Sequence, residues 1–174
     1  MSGKQRNFYL IGPMGSGKTA VGRRLAALLG MEFFDSDAEI EKRTGVDIRY
    51  IFEKEGEARF REREREVIAE LTSLHVVVVA TGGGAVLDAT TRQRLAATGT
   101  VIYLQASVDA QLKRTKPTRN RPLLLGEDPR AVLERFMSIR RPLYEEIADL
   151  CIETTGRQVR AVAADVHELL TARA

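Results

Sequence analysis

The stretch GPMGSGKT, residues 12–19, falls between the apolar run FYLI and the periodic run AVGRRLAALL. Three glycines and a proline there stop either element from continuing, so the chain must turn between a strand and a helix. A plain breaker-rich turn would meet that demand. So would a loop shaped around phosphate, because the stretch also matches GxxxxGK[ST]. Bare backbone lets successive N–H groups converge on one anion, and the helix that follows adds its N-terminal partial charge. In this second reading Gly12, Gly15, Ser16 and Gly17 form the cradle and Lys18 reaches the β- and γ-phosphates. Thr19 then offers its hydroxyl to Mg²⁺, a hard cation that prefers oxygen ligands.

The rest of the chain supplies the sheet such a loop needs. NFYLI, MEFF, HVVVVAT, TVIYLQA and DLCIETT read as short strands separated by helical segments. Val21, Leu25, Leu28 and Leu29 recur at helical spacing before Gly30 stops the run, and a polar helical region from 38 to about 74 is broken near Gly45 and Gly56. Four consecutive valines suit a parallel strand covered on both faces. Strands alternating with helices predict an α/β fold on right-handed crossovers, with a central parallel sheet of about five strands. Ligands of such sheets gather at the carboxyl ends of the strands, and GPMGSGKT, DSD and GGG all fall there.

The 174 residues fit one domain and can bury a core without disulfides or structural metal. The net charge of +3 arises from bases interleaved with acids, as in KEGEARFREREREVIAE, so a nucleic-acid partner is not implied. Cys151, the only cysteine, is expected as a small buried side chain in a strand. MSGKQRN lacks an apolar signal core and VVVVA is too short to span a bilayer, so cytoplasm is the expected compartment, with no membrane partner. His75 and His167 lack partners at metal spacing. No apolar face is left over after the sheet is packed, so a monomer is expected.

Several further segments share one pattern. FFDSDAEIEKRTG, IFEKEGEARFREREREVI, ATGGG, RNRPLL and RRPLYEEIAD stand in the order and approximate spacing found in shikimate kinases, from about residue 7 to 149. The chain therefore resembles the shikimate kinase family, whose fold is that of the nucleoside monophosphate kinases. The resemblance implies a three-layer P-loop kinase fold, substrate-binding helices over about 36–62 and a lid over about 114–126. It implies an ATP- and Mg²⁺-dependent phosphorylation of the 3-hydroxyl of shikimate, within chorismate and aromatic amino-acid synthesis.

Shikimate carries one carboxylate and three hydroxyls, so its pocket needs cationic forks at one end and hydroxyl acceptors at the other. The resemblance gives Arg61 and Arg140 the carboxylate; from this sequence alone Arg140 and its neighbour Arg141 are equal candidates. It makes Asp37 the acceptor of a ring hydroxyl and a candidate general base, and Asp35 a support for Mg²⁺ through water. The plain alternative for DSD is a helix cap on Ser36 or Asp37. Gly83 and Gly84 would donate backbone N–H groups, or else form an ordinary turn. Phe52 and Phe60 would form an apolar wall or serve as core. Glu64, a helical turn beyond Phe60, would hold an arginine or a substrate hydroxyl.

Arg121 in the lid would contact the transferring phosphate, and Arg114 and Arg157 would sit near the adenine. Tyr144 reads as a packing residue. Two other readings remain: a gluconate-type small-molecule kinase, and a non-catalytic nucleotide-binding regulator. The first is disfavoured by DSD with ATGGG and RPLL, the second by the full set of acceptor groups.

Overall fold

The valine run forms β3 (Val77–Ala80), and every residue of it is buried. It is flanked by β1 (Phe8–Ile11) on one side and β2 (Glu32–Asp35) on the other. Beyond β1 lie β4 (Thr100–Gln105) and then the edge strand β5 (Leu150–Glu153). All four pairings are parallel, giving the order β2-β3-β1-β4-β5. The computed structural model describes residues 6–115 and 128–173.

Alternation along the strands divides the core into two layers. Tyr9, Ile11, Val77, Val79, Val101 and Tyr103 face one side. There they meet α2 (Ser36–Thr44), α3 (Ile48–Leu71), α4 (Ala89–Thr98) and α6 (Pro129–Ile147). Leu10, Val78, Ile102 and Leu104 face the other, against α1 (Lys18–Leu29) and α7 (Val159–Ala172). The short helix α5 (Val108–Arg114) packs beside α6. This is the expected three-layer α/β architecture around a five-stranded parallel sheet.

Both expected breaks in the polar helical region occur. Gly45 closes α2 with a φ of 74°, and Gly56 kinks α3 with a φ of 83°. A residue with a Cβ is disfavoured at such angles, which is why the chain bends at glycines.

Two local expectations are corrected. Leu28 is 46% exposed, because the buried stripe of α1 runs through Val21, Gly22, Leu25 and Ala26 instead. Cys151 lies on β5 as expected but is exposed. It pairs in register with Tyr103, and at the sheet edge the helices covering Tyr103 no longer reach, so only Leu150 and Ile152 turn inward.

The carboxyl ends of β1, β2 and β3 lie side by side and lead into residues 12–19, Ser36 and residues 81–84. The basic segment with Arg119 and Arg121 lies outside the described residues; Arg114 and Thr115 at its start are within them. No described helix is long and apolar enough to cross a membrane.

Candidate active site

A cleft of about 660 Å³ opens over these strand ends, lined on one side by Met14, Gly15, Gly17, Lys18 and Thr19. The loop is wound as its glycines require. Gly12, Gly15 and Gly17 have φ of 145°, 78° and 89°. A Cβ on Gly12 would lie 2.3 Å from the Leu104 carbonyl oxygen, so only glycine fits there. Lys18, 9% exposed, folds its ammonium back to donate to the carbonyls of Gly12 (2.7 Å) and Pro13 (2.8 Å). Ser16 is buried beneath it. No side chain caps α1, whose first-turn N–H groups begin at Gly17. The arrangement is an anion cradle with a cation folded into it.

Across the cleft, Thr19 Oγ1 donates to Asp35 Oδ2 at 2.5 Å. Asp35 Oδ1 accepts from the Ala38 N–H at 3.0 Å, so Asp35 caps α2, and neither Ser36 nor Asp37 does. Ser36 Oγ instead accepts from the Gly82 N–H at 3.0 Å, tying β2 to the glycine segment after β3. These contacts leave Asp37 available to the cleft. Thr19 and Asp35 bring two hard oxygens together beside the phosphate loop, a donor set that fits Mg²⁺ when nucleotide phosphates and water complete its shell.

The acceptor side is built from charges that the protein itself does not fully satisfy. Asp37 lines the cleft, and its Oδ1 is buried without a hydrogen-bond partner. Burial pushes its carboxyl up to about 7; Glu64 and Asp35 add to the rise, while Lys18 and Arg61 oppose it. Glu64 on α3 is 3% exposed. Its Oε1 accepts from Arg61 Nη1 at 2.9 Å, and its Oε2 has no partner. Burial raises Glu64 as well, with Arg61 opposing. Arg61 Nε is the third buried polar atom left unpaired. Burial works against the Arg61 charge, but Glu64 and Glu57 outweigh it and raise the guanidinium's pKa. Among the described residues, three buried polar atoms without a protein partner lie together here, with hydrogen-bonding capacity that a polar ligand can use.

The glycine segment holds this cluster together by having no side chains. A Cβ on Gly82 would fall 2.8 Å from Asp37 Oδ1 and 2.9 Å from Glu64 Oε2. One on Gly84 would fall 2.4 Å from Arg61 Nη2. Gly83 touches the loop through Met14 and approaches Arg140, whose Nη1 lies 3.8 Å from its notional Cβ. Arg140 is buried and stacked on Phe136 at 4.0 Å, and burial lowers its pKa. Its neighbour Arg141 is exposed and paired with Glu145 at 2.9 Å. The two arginines left open by the sequence thus differ: Arg140 faces the interior beside the glycine segment, and Arg141 faces solvent.

Lys18, Thr19, Asp35, Asp37, Gly83 and Arg114 all line the cleft. Gly84 of the same segment, and Arg61 and Arg140 packed against that segment, do not line the cleft. Arg114 donates to the carbonyls of Gly15 (2.9 Å) and Thr154 (2.6 Å), bridging the loop to the turn after β5. Arg157, expected near it, is paired with Asp165 on α7 and does not line the cleft. Phe52 and Phe60 stack at 4.9 Å and pack with the core. Sequence reasoning missed the demand for glycine at Gly82, the second partner of Arg61 at Glu57 (3.3 Å), and the Tyr144 hydroxyl. The Glu57 to Arg61 spacing of four was a readable helical-pair signal; the other two depend on contacts distant in sequence.

Comparison with known proteins agrees with this geometry. A family model described as Shikimate kinase matches residues 14–171. A shikimate kinase of Methylococcus capsulatus is 60% identical over 157 residues, covering 90% of this chain and 88% of that one. One from Actinobacillus pleuropneumoniae is 52% identical over 167 residues, covering 96% of each. Among solved structures, the shikimate kinase of Acinetobacter baumannii in complex with shikimate superposes with a TM-score of 0.95 at 50% identity, covering 97% of this chain and 94% of that one. With a phosphate loop, an acidic strand end and a glycine segment flanked by arginines all within a match of this extent, the chain belongs to the shikimate kinase family.

Proposed function

We propose that the protein transfers the terminal phosphoryl group of ATP to the 3-hydroxyl of shikimate, releasing ADP and shikimate 3-phosphate. One observation carries the reading: Asp37 Oδ1 at the cleft, and Glu64 Oε2 and Arg61 Nε against the glycine segment that lines it, are buried and unpaired among the described residues. A ring bearing hydroxyls and a carboxylate supplies the donors and the acceptor these atoms lack. The Acinetobacter baumannii neighbour, solved with shikimate, supports the same choice.

Arg61 and Arg140 hold the carboxylate by charge-assisted hydrogen bonds, with the N–H groups of Gly83 and Gly84 beside them. Asp37 accepts the proton of the reacting hydroxyl. Burial pushes its carboxyl up to about 7, into the range suited to that task. The hydroxyl oxygen bonds to the γ-phosphorus as the bond to the β-bridging oxygen breaks, and Asp37 keeps the proton. Lys18, released from the Gly12 and Pro13 carbonyls, neutralises charge on the phosphoryl oxygens. Gly12, Gly15, Ser16 and Gly17 cradle the phosphates, and Arg114 stands beside them. Thr19 and, through water, Asp35 would hold Mg²⁺, whose charge would offset that of the phosphates. The protein works as a cytoplasmic monomer with neither nucleic acid nor membrane as partner.

A coupled ADP-release assay with shikimate, with gluconate and with no acceptor tests the reading. Turnover is expected with shikimate alone. Preference for gluconate, acceptor-independent ATP hydrolysis, or none at all would overturn it.

A further inference from the structure

Tyr144 on α6 is fully buried, yet its hydroxyl donates to the Gly83 carbonyl at 2.5 Å. Its ring lies against Tyr103 of β4, centroid to centroid 5.0 Å, so the phenol is held from a strand that does not itself reach the glycine segment. Burial pushes the phenol's pKa up, with Arg140 opposing, so the hydroxyl remains a donor through the neutral range. Arg140 sits one helical turn before Tyr144 and also approaches Gly83.

The peptide joining Gly83 to Gly84 is trans, as are all peptides among the described residues. Its C=O and the Gly84 N–H therefore point in opposite directions within one plane. Holding the carbonyl on Tyr144 aims the Gly84 N–H away from α6. Neither the Gly83 nor the Gly84 N–H makes a hydrogen bond among the described residues. Glycine has the widest choice of backbone angles, so a run of three would otherwise sample many orientations of those donors. The other fixed points are the Gly82 N–H on Ser36 and the Gly82 carbonyl, which accepts from the Ala85 N–H at 3.1 Å. The Gly84 carbonyl is held in turn by the Leu87 N–H at 3.1 Å, but the peptide between Gly83 and Gly84, which carries the Gly84 donor, makes its one hydrogen bond among the described residues to Tyr144.

We propose that Tyr144 is a positioning residue: its hydroxyl, by holding the Gly83 carbonyl, sets the direction in which the glycine segment donates to the acceptor. This rests on the shikimate reading above for the identity of the acceptor, and on the Gly83 contact for the mechanism.

Tyr144→Phe removes the hydroxyl and keeps the ring against Tyr103. The KM for shikimate is expected to rise about 5–20-fold, the KM for ATP to change less than about 2-fold and kcat less than about 3-fold, as for one lost positioning hydrogen bond. Amide hydrogen exchange in peptides covering residues 81–87 is expected to quicken several-fold. Tyr103→Phe, which removes a buried phenol without touching Gly83, controls for packing and should change neither.

An unchanged shikimate KM, or equal rises in both KM values, would overturn the proposal; so would unchanged exchange. If the wild-type protein does not use shikimate, the functional reading falls by itself, and the exchange comparison still decides whether Tyr144 governs the glycine segment.

Discussion

The two walls of the cleft are made differently. The phosphate wall is backbone: consecutive residues from 12 to 19, with positive-φ glycines and a lysine already hydrogen-bonded to its own loop. The opposite wall is Asp37 of α2 and the glycine segment, backed by Arg61 and Glu64 of α3 and Arg140 of α6, with unpaired buried polar atoms. The first wall keeps its cation on its own carbonyls and offers an anion its uncapped backbone N–H groups, whereas the second holds buried side-chain atoms without partners. A loop that grips phosphate can be reused for any acceptor, whereas specificity resides where the protein is left incomplete.

Removing the incomplete charge should have the largest effect. Asp37→Asn keeps the shape of the side chain and removes its proton acceptor, so kcat is expected to fall about 10²–10³-fold with little change in the KM for ATP. In the wild type, kcat/KM for the acceptor should rise with pH through about 7, and that inflection should vanish in the variant.

Stability should move the other way. Asp37 binds its proton more tightly folded (about 7) than unfolded (3.8). Below about pH 4 both states carry the proton and the penalty vanishes. Between pH 4 and 7 the unfolded chain gives it up first, so folding stability falls as pH rises, and above 7 the loss is complete. Asp37→Asn should therefore be more stable than wild type at pH 8, on the order of 1–3 kcal/mol, and no more stable at pH 4. Thermal melts at the two pH values check this. A variant less stable at pH 8 would mean that the Asp37 carboxylate is paired rather than strained.

The contrast between the walls also explains what the sequence could reveal. The phosphate wall was legible because its residues are neighbours in the chain and their chemistry forces the spacing. That β3 is an inner parallel strand was legible in its valines, buried on both faces, whereas the strand order was not. The residues proposed for the acceptor, Asp37, Arg61 and Arg140, were reached by resemblance, since nothing in residues 37, 61 and 140 alone says that they meet. Gly82 was given no role beside Gly83 and Gly84, because its closeness to Asp37 and Glu64 exists only in three dimensions. Cys151 was misjudged because a local apolar run does not say whether its strand lies at the sheet edge.

The next largest effects probe the arginines. Arg61→Ala or Arg140→Ala should raise the KM for shikimate about 10–100-fold, the worth of a charge-assisted contact, while the KM for ATP stays within about 3-fold. Equal changes in both KM values would place these residues with the nucleotide and erase the division between the walls. Gly82→Ala sharpens the same division from the backbone. The new methyl would displace Asp37 Oδ1 and Glu64 Oε2, which are flexible carboxylate ends, so the fold should survive with its Tm within a few degrees. The kcat/KM for shikimate should drop about 10-fold or more.

The smallest effect separates two arginines expected on the nucleotide side. Arg114 grips the loop itself through the Gly15 carbonyl, and it also reaches Thr154. Arg157 is spent on Asp165 and on the Glu153 carbonyl at 3.3 Å, and the Asp165 carboxylate is half exposed. A surface pair of this kind is worth about 0–1 kcal/mol. Arg157→Ala should therefore change the KM for ATP less than about 3-fold and lower the Tm by no more than about 3 °C. A tenfold loss of ATP affinity would require Arg157 to leave Asp165 for the nucleotide, and the phosphate wall would then be less complete before binding than its hydrogen bonds imply.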